Sequence, residues 1–91
     1  MFDVEWIDAA VNRVASAWVP ADSATRAVIT AASHQIDEIL AVHPSHAGES
    51  RDANRRILIV DPLAAVYEVD EKQSIVTVVD VVVRKPRLSH Q

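Results

Sequence analysis

The near-continuous apolar run at residues 75–83, IVTVVDVVV, constrains the fold of this chain more than any other stretch. Only Thr77 and Asp80 interrupt its valine and isoleucine residues, which are β-branched and fit a pleated sheet better than a helix. A strand that is apolar on both sides is normally buried on both sides. The run therefore predicts a β-strand that needs cover on each face of its sheet.

Two further strands precede this run and are joined to it by short turns. We predict strands at residues 56–60, 63–69 and 75 to about 84, with a bend at Asp61-Pro62 and a turn over residues 70–74. Because links this short join antiparallel neighbours, the three strands form a meander.

The N-terminal residues predict a short strand and then a helix. Phe2, Val4 and Trp6 alternate with acidic residues in the period-two pattern of a half-buried strand, although a helix over the same residues competes with it. The helix begins near Asp8 and ends at Pro20. Its predicted inner stripe consists of Ile7, Val11, Val14, Ala15 and Trp18.

A second, longer helix follows, with Asp22 or Ser23 as its N-cap and an end near Ala41. Its predicted inner face consists of Val28, Ala32, Ile36, Ile39 and Leu40. The two helices form an αα-hairpin that packs on one face of the sheet, which gives an α+β fold. The other face then needs a partner chain, a second copy of this chain, or the basic tail at residues 85–91, which we expect to be loose beyond Pro86.

Length and composition narrow the class of protein. A chain of 91 residues makes one domain, and the lack of cysteine excludes disulfides, zinc–thiolate sites and thiol nucleophiles. The N-terminal residues are acidic, unlike a signal peptide, and no apolar run reaches the ~18 residues of a membrane span, so we expect a soluble cytoplasmic protein without membrane contact. A net charge of -4 argues against binding nucleic acid as a bulk polyanion.

The polar segment at residues 43–54 holds the only glycine and predicts a long connecting loop, a common place for a functional site. His43 and His46 lie there, and His34 precedes them on the helix. Three histidines without a carboxylate at ligand spacing are weak evidence for a metal site. We therefore expect no metal and no cofactor.

Several short motifs, in this order and spacing, give the chain a resemblance to a known family. They are the segment AASHQIDEIL at residues 31–40 before His43-Pro44, Gly48-Glu49-Ser50 before Arg55-Arg56-Ile57-Leu58, Pro62-Leu63, Tyr67-Glu68-Val69-Asp70, and Val76-Thr77-Val78. With them, residues 2–84 resemble the RelE/ParE superfamily of type II toxin–antitoxin toxins.

The resemblance implies an intracellular protein that a cognate antitoxin wraps. Such toxins either cleave messenger RNA in the ribosomal A site or inhibit DNA gyrase. Nucleases of the family end their last strand with histidine or arginine and add a catalytic tyrosine after it. Val83 stands where the histidine is expected, and no tyrosine follows Tyr67, which favours the gyrase-inhibiting branch.

RNA cleavage by the 2′-hydroxyl needs a general base, a general acid and a cation at the phosphate. Glu49 is the candidate base, Arg56 and Arg84 are candidates for holding phosphate, and His90 is the candidate acid. A basic rim for nucleic acid or another target would consist of Arg51, Arg55, Arg56, Arg84, Lys85 and Arg87. The same residues also fit a structural role, as charges at strand ends that discourage edge pairing.

Three functions follow from these observations. The first is a toxin that binds its target, in the manner of the gyrase inhibitors, and is neutralised by an antitoxin. The second is a ribosome-dependent mRNA endonuclease. The third is a non-toxic relative that only associates with itself as a homodimer.

Overall fold

The computed structural model of the protein describes residues 1–52 and 54–84. Its elements, in chain order, are β1 (Asp3–Trp6), α1 (Asp8–Trp18), α2 (Ser23–Val42), α3 (Pro44–Ala47), β2 (Glu49–Ser50), β3 (Arg55–Val60), β4 (Leu63–Asp70) and β5 (Ile75–Val83). The predicted α+β class, the N-terminal strand, the helical hairpin and the meander are all confirmed. No helix in these residues is long and apolar enough to cross a membrane. The predicted tail at residues 85–91 lies outside the described residues.

The sheet has five strands in the order β1-β5-β4-β3-β2. The meander strands pair antiparallel, whereas β1 pairs parallel with β5, with Asp3 opposite Ile75 and Trp6 opposite Val78. The segment at residues 43–54 is not the plain loop that its polar composition predicts. It holds α3 and the edge strand β2, which pairs antiparallel with β3. A pattern of two residues is too short to reveal a strand from sequence.

A β-bulge determines which valines of β5 face the core. Val66 lies opposite Asp80 and Tyr67 lies opposite Val78, so that Val79 is an extra residue on β5. Side chains alternate between the two faces on each side of the bulge, and the extra residue shifts the alternation by one. Val76, Val78 and Val81 are consequently all buried, although they are spaced by two and then by three residues.

The buried core lies between the helices and one face of the sheet. Ile29, Ala32, Ile36 and Leu40 supply the face of α2, which packs against β1, β3 and β4. The predicted face of α2 was wrong at Val28, which is 52% exposed, whereas its neighbour Ile29 is 2% exposed. One residue turns a helix by about 100°, and in α2 the orientation that buries Ile29 turns Val28 toward solvent.

The predicted inner stripe of α1 is also wrong in part. Ala10 is fully buried, with Val14 and Ala17 half-buried, whereas Ile7, Val11 and Trp18 are largely exposed. Small alanines at the contact let α1 lie close along β5, and the larger apolar side chains are turned outward.

Neither tryptophan is fully buried. Trp6 is half-buried and donates from Nε1 to Asp37 Oδ1 at 2.6 Å. Trp18 is 38% exposed and lies against the guanidinium of Arg26, whose carbon is 4.3 Å from the ring centroid. Arg26 also donates from Nε to the Trp18 carbonyl oxygen at 2.9 Å. These contacts join the end of α1 to the start of α2.

Asp22, one of the two N-cap residues that the sequence predicted, caps α2, because its Oδ1 accepts from the Thr25 backbone N–H at 2.8 Å. That hydrogen bond lowers the pKa of Asp22 below its usual 3.8. A lowered pKa means that this contribution to stability is present above pH 3.8 and is lost as pH falls through the folded-state pKa. We therefore expect Asp22→Asn, which keeps an acceptor but does not titrate, to flatten the acid side of the stability curve. Urea unfolding of the wild type and of Asp22→Asn between pH 2 and pH 6 measures how the stability of each depends on pH. If stability falls equally in both as the pH is lowered, the prediction is wrong.

Candidate interaction face of the sheet

The face of the sheet opposite the helices carries an apolar patch. The strand register places Ile59, Ala64 and Val82 in one row across β3, β4 and β5, with Ile57 and Val66 in the next row. Ile59 and Val82 are 46% and 45% exposed, whereas Ala64 between them is shielded. We call these five residues the open patch.

Carboxylates border the open patch on both sides. Glu49 on β2 lies opposite Ile57, and Asp80 on β5 lies opposite Val66, so both acids share the row of that apolar pair. Arg13 of α1 approaches Asp80, with 3.7 Å between Nε and Oδ1. Glu49 has no ion-pair partner among residues 1–52 and 54–84.

The remaining rows of this face add more negative charge. Arg55 and Glu68 lie opposite each other and form an ion pair at 2.9 Å, and the Glu68 carboxylate raises the pKa of Arg55 above its ordinary value. By register the strands place these acidic residues on the face: Asp3, Glu5, Glu49, Glu68, Asp70 and Asp80. Arg55 is the one basic residue that the described strands place on this face. The face therefore repels a phosphate backbone.

Arg56 lies on the other face, beneath the helical layer. It is opposite Tyr67, and its guanidinium donates from Nη2 to the Gly48 carbonyl oxygen. Its buried Nε has no hydrogen-bond partner within the described part of the chain. Tyr67 is fully buried and donates from its hydroxyl to the Pro44 carbonyl oxygen at 2.7 Å, as expected for a core tyrosine. Arg56 and Tyr67 thus tie the segment between α2 and β2 to the sheet.

The structure does not bring the three candidate catalytic residues together. The register puts Glu49 and Arg56 on opposite faces of the sheet. Arg84 lies at the far end of β5, where Nη1 is 3.3 Å from Asp61 Oδ1 and its backbone N–H donates to the Pro62 carbonyl. At ~3.3 Å per residue, Arg84 is roughly 17 to 20 Å along the strands from the row of Arg56. His90 lies outside the described residues.

No protein-family model matches this sequence, and no curated protein matches it either. Solved structures do match its fold over nearly the whole chain. A chain in the crystal structure of the toxin–antitoxin complex RelBE2 from Mycobacterium tuberculosis superposes with a TM-score of 0.75 at 15% identity, over 91% of both chains. The chromosomal ParDE toxin–antitoxin system of P. aeruginosa gives 0.71 at 16% identity, over 93% of this chain and 98% of that one. The isolated E. coli RelE toxin superposes with a TM-score of 0.63 at 16% identity, over 96% of this chain and 88% of that one.

The chain has the RelE/ParE toxin fold. The resemblance predicted from the order of short motifs is thereby confirmed at the level of the fold. Motif residues that are distant in sequence meet in this RelE/ParE fold: Gly48 lies against the hydroxyl of Tyr67 and the backbone of Ile57.

The RelE/ParE fold also separates the arginines that we expected to form one basic rim. Arg51 and Arg55 face each other across the turn between β2 and β3, where the Arg51 N–H donates to the Arg55 carbonyl. Arg84 lies at the other end of the sheet, and Lys85 and Arg87 are outside the described residues. His34, His43 and His46 are all exposed, and the described residues contain no cluster of three metal-ligating side chains.

Sequence reasoning did not predict that Asp80 and Glu49 lie on either side of the open patch. Asp80 is visible in the sequence as the one charge in the valine run. Its face depends on the bulge at Val79, and the face of Glu49 depends on the pairing of β2. Neither feature has a signature in a single sequence.

Proposed function

We propose that this chain is the toxin of a type II toxin–antitoxin module, active in the cytoplasm and neutralised by a cognate antitoxin. The observation that carries the proposal is the match in fold, over 91% and 93% of this chain, to chains from RelBE2 and ParDE toxin–antitoxin systems. The open patch supports it as a candidate contact surface, because Ile59 and Val82 are nearly half exposed on the side of the sheet away from the helices.

For the action of the toxin, we propose binding to a protein target such as DNA gyrase rather than cleavage of RNA. Cleavage needs a base and a cation on the same phosphodiester, within about 3 Å of the reacting atoms. Glu49 and Arg56 lie on opposite faces, and Arg84 is held near Asp61. The acidic open face also disfavours a bound RNA strand.

Expression in a bacterial host with and without the product of the adjacent open reading frame tests the first part of this proposal. We expect growth to stop when the chain is induced alone, and to recover when the neighbour is co-expressed and co-purifies with it. A host that grows normally in both cases, with no complex formed, would refute the toxin assignment.

The target is tested separately with the purified chain. We expect it to inhibit supercoiling of relaxed plasmid by DNA gyrase, and we expect primer extension on cellular mRNA to show no new cuts after induction. New cuts in the ribosomal A site, with gyrase unaffected, would identify the chain as a nuclease instead.

A further inference from the structure

We propose that the open patch and its two flanking acids, Glu49 and Asp80, form the docking surface for a basic amphipathic segment of the antitoxin. This inference rests on the proposed function and adds the location and the chemistry of the contact. The patch is the part of the sheet that α1 and α2 leave uncovered, since both helices pack on the other face or along its edge.

The apolar part of the surface calls for an apolar partner. Ile59 and Val82 are nearly half exposed, and Ile57 and Val66 continue the patch in the next row. At ~4.8 Å between strands and ~7 Å between rows, the patch is about 10 Å by 7 Å. Such a surface accommodates two or three aliphatic or aromatic side chains of one segment.

The charges that flank the patch determine which charge the partner segment should carry. Glu49 and Asp80 lie in one row on β2 and β5, three strand spacings apart, or about 14 Å between Cα atoms. Two lysines or arginines at that distance complement both acids at once. The spacing corresponds to about nine residues of a helix or about four of an extended segment, with apolar residues between them.

The same charges disfavour two other occupants, a second copy of this chain and a nucleic acid. A second copy of this chain would bring six strand carboxylates against six others, and a nucleic acid would add phosphates to an acidic surface. Like charges placed across an interface repel each other, so a segment of opposite sign is favoured.

Isothermal titration of the adjacent gene's product into four variants of the full chain tests this location. Glu49→Lys and Ile59→Lys alter the open surface. Glu38→Lys and Val28→Lys are matched controls on the exposed side of α2, where Val28 is 52% exposed. We expect each open-surface variant to raise the Kd about tenfold or more, and each control to change it less than about threefold. Circular dichroism confirms that every variant is folded.

Salt dependence supplies a second, independent readout. We expect the Kd of the wild-type complex to rise with NaCl, and the slope to decrease in Glu49→Lys but not in Glu38→Lys. A complementary exchange, in which a lysine of the partner becomes glutamate, should restore binding to Glu49→Lys.

Each outcome decides the question. If all four variants bind like the wild type, the docking surface is wrong while the toxin assignment stands. If Val28→Lys and Glu38→Lys weaken binding instead, the antitoxin docks on the helices and the inference is overturned. If the wild type does not bind the neighbour's product, the proposed function fails and the inference fails with it.

Discussion

Replacing Ile29 with alanine is expected to lower the free energy of unfolding by about 2 to 5 kcal/mol, whereas Val28→Ala should change it by less than about 0.5 kcal/mol. Ile29 is 2% exposed within the core, and Val28 is 52% exposed one residue earlier on the same helix. The cost at Ile29 combines lost apolar burial with the cavity left behind. Urea denaturation followed by circular dichroism at 222 nm measures both values.

The pair controls for helix propensity, because both changes replace a β-branched residue with alanine in the interior of α2. The difference between them therefore reports burial. A larger cost at Val28 than at Ile29 would mean that Val28, as the sequence pattern had suggested, lies on the buried side of α2.

Gly48→Ala is expected to destabilise the protein by about 1 to 3 kcal/mol. A Cβ at this position would lie 2.5 Å from the Ile57 carbonyl oxygen and 2.7 Å from the Tyr67 hydroxyl. The φ of Gly48 is -111°, which alanine adopts without strain, so the cost is steric. Because the nearest atom belongs to the backbone of β3, the clash is not relieved by moving a flexible side chain. Thermal and urea unfolding measure the loss.

A double-mutant cycle with Tyr67→Phe separates the two contacts of Gly48. Removing the hydroxyl relieves one clash and leaves the backbone clash in place, so Gly48→Ala should cost less in the phenylalanine background but still destabilise. Ser50→Ala, at an exposed neighbouring position, serves as the matched control and should be nearly neutral. A neutral Gly48→Ala would show that the segment before β2 does not approach β3 so closely.

The meander was predictable because its turn residues are distinctive. Asp61-Pro62 and the polar residues 70–74 bound apolar runs, and the three predicted strands agree with the observed ones to within one residue. The cap at Asp22 was predictable for the same local reason. These features depend on chemistry within a few residues, which a single sequence shows directly.

The pairing of β1 with β5 and of β2 with β3 was not predictable, because alternation reveals which residues are buried but not which strand lies beside them. The arrangement of the candidate site was not predictable for the same reason. Glu49, Arg56 and Arg84 have suitable chemistry as residue types, but their side of the sheet depends on register and on the bulge at Val79. A shift of one residue in either place exchanges the helix face for the open face.

The pairing of β1 with β5 has a consequence for the synthesis of this protein. Among the described residues, β1 pairs within the sheet only with β5. Asp3 therefore has no partner in the sheet until Ile75 has been synthesised. Contacts this distant in sequence form late, since the chain between them must first be closed into a loop. In a ribosome-bound chain that lacks β5, β1 has no strand to pair with. One edge of β4 is then also left without a neighbouring strand. We therefore expect unfinished chains to remain unfolded, so that the sheet is completed only after β5 has left the ribosome.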